Sequence, residues 1–257
     1  MTFAPLYLSH GSPLTVIEES ETARFLRDRG ARIGTPAAIL VMSSHWPSAS
    51  VRLGGAERPR TIHDFYGFPD ELYKITYPAP GAPEVAARAA ALLGNGAVVD
   101  PDRGLDHGVW GVLRRMWPDG DVPVVPMTVL PGASPTAHFE LGRLLAPLAD
   151  QGVQIIGSGA ATHNLEAYLE ATPNDPPHDW VIAFTTWLAE KAERGETADL
   201  LDYRARAPFA RQNHPTDEHL LPFFMALGAG KSGTGQRIHQ ATEYGVIAMD
   251  AYAFGAG

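Results

Sequence analysis

The sequence predicts an α/β fold: one domain over residues 1–257, with a central, mostly parallel sheet flanked by helices on both faces. Three observations carry this. Continuous apolar runs such as "AAILVMSS" (37–44) and "VQIIGSG" (153–159) have the length and lack of alternation of strands buried on both faces. Amphipathic stretches of helix length alternate with such runs along the chain, as parallel strands joined by helical crossovers require. The 257 residues are 45% hydrophobic and 19% charged, which supplies one large core. No internal repeat, low-complexity tract or break in composition divides the chain.

The first strand is "PLYLS" (5–9), followed by a helix over about 19–30 with Phe25 and Leu26 facing inward. The second strand is the 37–44 run. After it, "RPRTIHDFYGFPDELYKITYPAPGAP" is rich in Pro, Gly and aromatics, and too long to be an incidental connection. Pro83 opens a helix at the tolerated first position and Gly94 stops it. Another helix covers 106–117, then a strand 122–130, a helix 135–150 and the strand 153–159. A strong amphipathic helix follows over 178–194, with a shorter one near 197–206. A last helix is expected from about Thr216 to Gly228, and two terminal strands near 236–241 and 245–253.

The net charge of −9 argues against nucleic-acid and anionic-membrane partners, which demand a basic surface. No run reaches the length of a spanning helix, and the N-terminus lacks the pattern of a signal peptide. A cytoplasmic protein is the expectation. With no cysteine, neither a disulfide framework nor a thiolate metal site is available.

Ligands of open α/β sheets bind beyond the carboxyl ends of the strands. There the first strand delivers His10, in "SHGSP", the second His45, in "SSHWP", and the run after "GSG" His163. Gly11 and Pro13 turn the chain away and leave His10 behind. His107, in "LDHGVWG", opens a helix toward the same crevice, and His219 lies near the start of the last long helix. Several imidazoles converging from separate elements suit a mononuclear zinc or ferrous site. The competing reading makes each a satisfied core or capping histidine. The glycine-rich "IIGSGAATHNL" (155–165) is not GxGxxG in register and has no GK[ST], "SHGSP" lacks the GxSxG elbow, and no HExxH motif is present. His63 and Asp64 are candidates to support the site or bind substrate, with a plain surface loop equally open. His138, His178 and His239 read as structural or solvated.

Together, "SHGSP", "SSHWPS", "TIHDFYGFP", "YPAPG", "DHGVWGVL", "GSGAATHNL" and "PTDEHLLPF" resemble the DODA-type class III extradiol ring-cleavage dioxygenases of the LigB superfamily, in order from about residue 6 to 228. The resemblance implies a metal-dependent enzyme that opens a DOPA-like catechol ring with O2. It implies His10, His45 and His219 as metal ligands, and His163 as an acid–base residue or further ligand. His107 would line the substrate pocket, with a second claim to the acid–base role. Fe(II) and Zn(II) both occur in the family. Glu218, beside His219, is the rival third ligand, because a carboxylate fills that position in the protocatechuate branch; His219 is favoured. His214 stands where asparagine is frequent. Ala160 and Ala161 replace a bulkier pair, which would widen the pocket. A helix from Thr216 would put Pro222 in its second turn, free the Glu218 carbonyl and aim a ligand.

The loop 59–82 is expected to cap the pocket with Phe65, Tyr66, Phe68, Tyr73 and Tyr77, and Arg58, Arg60 and Lys74 are candidates for a substrate carboxylate. Rival readings are a zinc-dependent hydrolase with His163 activating water, and a non-catalytic metal-binding member of the fold. The expected partners are a small catechol and O2, with a homo-oligomer left open.

Overall fold

Residues 3–94 and 96–255 are described in the computed structural model. In chain order, β1 (Leu6–Ser9) leads to α1 (Glu21–Ile33), β2 (Ala38–Pro47) and β3 (Arg52–Gly54). After the long irregular segment come α2 (Pro83–Leu93), β4 (Val98–Asp100), α3 (His107–Met116), β5 (Val124–Val129), α4 (Pro135–Leu145) and α5 (Pro147–Asp150). Then follow β6 (Val153–Gly159), α6 (Leu165–Glu170), α7 (Asp179–Glu193), α8 (Thr197–Leu201), α9 (Tyr203–Arg206), α10 (Ala210–Asn213) and α11 (Leu221–Ala229). The chain closes with β7 (Gly235–His239), a small hairpin of β8 (Thr242–Glu243) and β9 (Ile247–Ala248), and β10 (Ala251–Phe254).

Eight strands form one sheet in the order β4-β3-β5-β2-β6-β1-β10-β7. Its centre, β5-β2-β6-β1, is parallel throughout, as is the β3-β4 pair. Antiparallel pairing appears where β3 meets β5 and where β10 and β7 extend the far edge. Residues alternate across the two faces as strand geometry dictates. Leu40 and Met42 point to a core built with α2, α4, α7 and α11, and Ile39 and Val41 to one built with α1 and α3. The predicted fold class is the one observed.

Several expectations change. The helix near 197–206 is two, α8 and α9, and the strand near 245–253 divides into β9 and β10 of different sheets. The helix expected over 135–150 is two, because Pro147 starts α5 afresh. The edge strands β3 and β4 have only three residues each, too short to register as periodicity. Most important for the site, the last long helix begins at Leu221, not Thr216. Pro222 therefore lies in its first turn, where no N–H is missed. The proposed loosening at the Glu218 carbonyl does not occur, and His219 sits in the loop before the helix.

Candidate metal centre

Four parallel strands end on the same side of the sheet, and the histidines gather there. His10 follows β1 directly, its N–H donating to the Gly159 carbonyl at 2.9 Å. Gly11 then adopts φ +64, where an added Cβ would lie 2.5 Å from the Met249 side chain, so the sharp exit demands glycine. His45 is not beyond its strand but within β2. The β2–β5 register shifts between Ser43 and Pro47, and an irregularity of this kind re-aims a side chain at a strand end. His219 arrives from the opposite direction. Its carbonyl accepts hydrogen bonds from Ala160 N–H at 3.0 Å and the Tyr7 hydroxyl at 2.9 Å. That approach depends on Gly159, where a Cβ would stand 2.0 Å from the His219 carbonyl oxygen.

Three ring nitrogens meet. The Nε2 atoms of His10 and His45 are 3.1 Å apart, and those of His45 and His219 are 3.3 Å apart. On the far side of each ring, Nδ1 faces an acceptor. The Ser158 hydroxyl donates to the Gly108 carbonyl at 2.5 Å, so it accepts from His10 Nδ1–H at 3.1 Å. Asp64 Oδ2 lies 3.3 Å from His45 Nδ1, and Glu218 Oε1 3.1 Å from His219 Nδ1. With the protons on Nδ1, the Nε2 atoms of His10 and His219 each face that of His45 with no hydrogen between; ligand atoms of His10, His45 and His107 also lie within 4.8 Å of one another, as do those of His163, Glu218 and His219. Burial, reinforced by the neighbouring imidazoles, holds all three rings well below the usual histidine range, so protonation does not relieve the crowding.

A cation does. Two nitrogens bound at about 2.0–2.1 Å to one ion, with bond angles between square and tetrahedral, stand roughly 2.9–3.4 Å apart. Both observed separations fall in that interval. A hydrogen-bond acceptor behind each ring is also the usual device for fixing the tautomer of a metal-bound histidine. The donor set fits a divalent metal.

Two further histidines flank this group. The His107 ring lies 3.9 Å from that of His45, centroid to centroid. Asp64 holds it twice, accepting from His107 Nδ1–H at 2.9 Å and from its backbone N–H at 2.8 Å. Burial opposes the charge on Asp64, yet the hydrogen bonds from His107 outweigh that and keep its carboxyl below the ordinary value. His163 stacks on His219, ring centroids 3.4 Å apart and planes 11° from parallel. Burial lowers its pKa to about 4 against the opposing pull of Glu218.

Above the histidines is a cavity of about 380 Å³, walled by Pro13, Phe68, Ala160, Leu165, Tyr168 and Ile247, with Glu218 and Glu243 as its carboxylates. All five predicted histidines line it. The rest of the prediction is less well met. Among the described residues no arginine or lysine reaches the cavity, so Arg58, Arg60 and Lys74 are displaced as carboxylate binders. Of the five loop aromatics only Phe68 lines it. Tyr66 is 92% exposed and Tyr77 is buried, donating to the Trp117 carbonyl. His63 is committed to the Ile75 carbonyl. Ala160 borders the cavity, but Ala161 packs in the core and cannot widen it.

Ser158, Tyr168 and Glu243 escape sequence reasoning. A serine within a buried strand and residues on a short helix and a two-residue strand carry no motif. Only the fold brings them to the site.

Comparison with known proteins gives the family. Residues 5–255 match the family model described as the catalytic LigB subunit of aromatic ring-opening dioxygenase. A relative in Beta vulgaris, named 4,5-DOPA dioxygenase extradiol, is 37% identical over 256 residues, covering 96% of this chain and 95% of its own. A protein of the same name in Escherichia coli strain K12 is 37% identical over 233 residues, covering 87% and 84%. The crystal structure of an uncharacterized protein from Escherichia coli K12 superposes with a TM-score of 0.82 at 31% identity, covering 98% of this chain and 99% of that one.

Proposed function

The chain belongs to the family of the catalytic LigB subunit of aromatic ring-opening dioxygenases and is an extradiol ring-cleavage dioxygenase; on that premise we propose that it opens a DOPA-like catechol at a divalent metal held by His10, His45 and His219. The observation that carries the ligand set is the approach of the His10 and His219 Nε2 atoms to that of His45, at 3.1 and 3.3 Å. Glu218 is then not the third ligand but the group that orients His219. We take Fe(II) as the active metal, since Zn(II) has no redox chemistry to offer dioxygen. The bound ion supplies Lewis-acid attraction for the two catechol oxygens and an electron source for O2.

The remaining chemistry falls to the protein. His163 is neutral at neutral pH and takes a catechol proton at a ring nitrogen. The stacking supports this role over ligation. A lone pair lies in the plane of its own ring, so the lone pair that His219 would offer an ion lies about one stacking distance, 3.4 Å, outside the His163 plane. His107, held by Asp64, borders the ring from the other side and is the second candidate for proton movement. Phe68, Leu165 and Ile247 confine the ring and exclude water, so the reacting groups stay in bonding reach. Family membership favours ring cleavage over the zinc-hydrolase reading.

The test is anaerobic reconstitution with Fe(II) or Zn(II), then oxygen uptake and product absorbance with a panel of catechols. One O2 consumed per ring opened with iron, and none with zinc, is expected. Ester or amide turnover with zinc and no uptake with any catechol would refute the reading.

A further inference from the structure

We propose that Asp106 is a positioning residue for the metal centre, fixing the backbone that carries His45 against the first turn of α3. The inference rests on the reading of His45 as a metal ligand and adds the group that sets its place.

The sheet does not hold His45. Partners of β2 on β6 end at Ser43, and those on β5 stop at Ser43 and resume only at Pro47. Ser44, His45 and Trp46 therefore have no register partner on either side, although a ligand must be held to within about 0.5 Å. A polar network centred on Asp106, a fully buried carboxylate, takes over that task. Its Oδ1 accepts from the Ser43 hydroxyl at 2.6 Å, and the Ser43 oxygen in turn accepts from the His45 N–H at 3.2 Å. Its Oδ2 accepts from Arg103 at 2.5 Å, and the Arg103 guanidinium lies over the Trp46 ring, 4.4 Å from the centroid. His45 and the residue after it are both tied to one carboxylate.

The same carboxylate caps α3. Its Oδ1 also accepts from the Val109 N–H at 3.3 Å, which fixes the first helical turn, where His107 stands. That turn is pressed against the ligands. A Cβ on Gly108 would lie 2.6 Å from the Ser43 hydroxyl oxygen and 3.1 Å from His45 Cδ2. The Gly108 carbonyl receives the Ser158 hydroxyl that stands behind His10. A helix cap alone needs only the contact to Val109. The links to Ser43 and Arg103 are additional, and both lead to the stretch that carries His45.

The experiment loads the protein with Co(II), whose visible absorption reports ligand geometry, and measures affinity by competition with a chelator. Ser43→Ala cuts the link to His45 while leaving the cap and the Arg103 ion pair in place. It should weaken cobalt binding by about 10- to 100-fold and alter the spectrum, with a urea midpoint close to that of the wild type. Asp106→Asn, which keeps an acceptor for Ser43, should bind cobalt more tightly than Asp106→Ala. Combining Ser43→Ala with Asp106→Ala should give losses that do not add, because both cut one link. Wild-type affinity and spectrum in Ser43→Ala, with only a lower urea midpoint in Asp106→Ala, would reduce Asp106 to a helix cap and overturn the inference. Where Asp106→Ala does not fold, Ser43→Ala alone decides. If His45→Ala leaves the cobalt spectrum unchanged, it is the ligand reading that fails. The His45 imidazole resonances of the metal-free protein then judge the inference: Ser43→Ala shifts them if the network positions that ring, and leaves them in place if it does not.

Discussion

At the scale of single residues, the site divides its histidines by what stands behind each ring. His10, His45 and His219, with Nδ1 toward Ser158, Asp64 and Glu218, bring their Nε2 atoms together; His107 shares Asp64 behind its Nδ1 and flanks His45, and His163 lies flat against His219. The two kinds of substitution should therefore part company. His10→Ala removes one of three lone pairs and should lower metal content, measured by elemental analysis after dialysis, to well under one ion per chain. His163→Ala should retain the metal while kcat falls by about 10²- to 10⁴-fold, the usual contribution of one general acid–base group. Full metal retention in His10→Ala, or metal loss in His163→Ala, would reverse the assignment. Asp64→Asn keeps the size but weakens the acceptor for both His45 and His107, and losses of this kind cost about 10- to 100-fold in metal affinity or activity.

At the scale of elements, the decisive contact is β6 against the loop that leads into α11. Gly157 and Gly159 leave no side chain on the face that meets Pro222 and His219, where Cβ atoms would come within 2.2 and 2.0 Å of the carbonyl oxygens. Gly159→Ala must push the His219 backbone away and break its hydrogen bonds with Ala160 and Tyr7. Metal affinity is expected to fall with little loss of helical circular dichroism; unchanged affinity would mean that the loop adjusts freely. The helix itself is anchored by burial. Every residue of α11 is buried, and Phe223 packs edge-on against Tyr7, Tyr252 and Phe254. Phe223→Ala should cost about 3–5 kcal/mol in a urea titration, as for other buried aromatics.

At the scale of the whole molecule, buried titratable groups couple stability to pH. Burial pushes the pKa of His214 to about 3, and its Nε2–H donates to the Ala161 carbonyl. Because the folded value lies below the unfolded one, the unfolded chain gains the proton first on acidification. His214 thus contributes stability that is complete above about pH 6.5 and drains away below it, at up to about 1.4 kcal/mol per pH unit. Asp250, raised to about 6 by burial against the pull of Arg237, has the opposite sign: its folded form takes the proton first, so acidification from there toward its unfolded value adds stability. Comparing the wild type with His214→Asn, in the same metal state, isolates the histidine. The variant's urea midpoint should fall less steeply between pH 6.5 and 4.5, and parallel profiles would show that His214 stays neutral in both states.

The sequence by itself determined the fold class, the order of the main strands and helices, and the five histidines that line one cavity. Buried parallel strands are continuous apolar runs, and a histidine at the end of such a run is conspicuous against them. The start of α11, the place of His45 inside β2, the edge strands β3 and β4, and the residues behind each imidazole were decided by the tertiary structure. So was the charge of the cavity, where Arg58, Arg60 and Lys74 give way to Glu243. Each of these depends on contacts between segments far apart in the chain, such as Ser158 with His10 and Asp64 with His107. Local periodicity reports which face of an element is apolar; which polar side chains meet in space follows only once the sheet order has closed those distances.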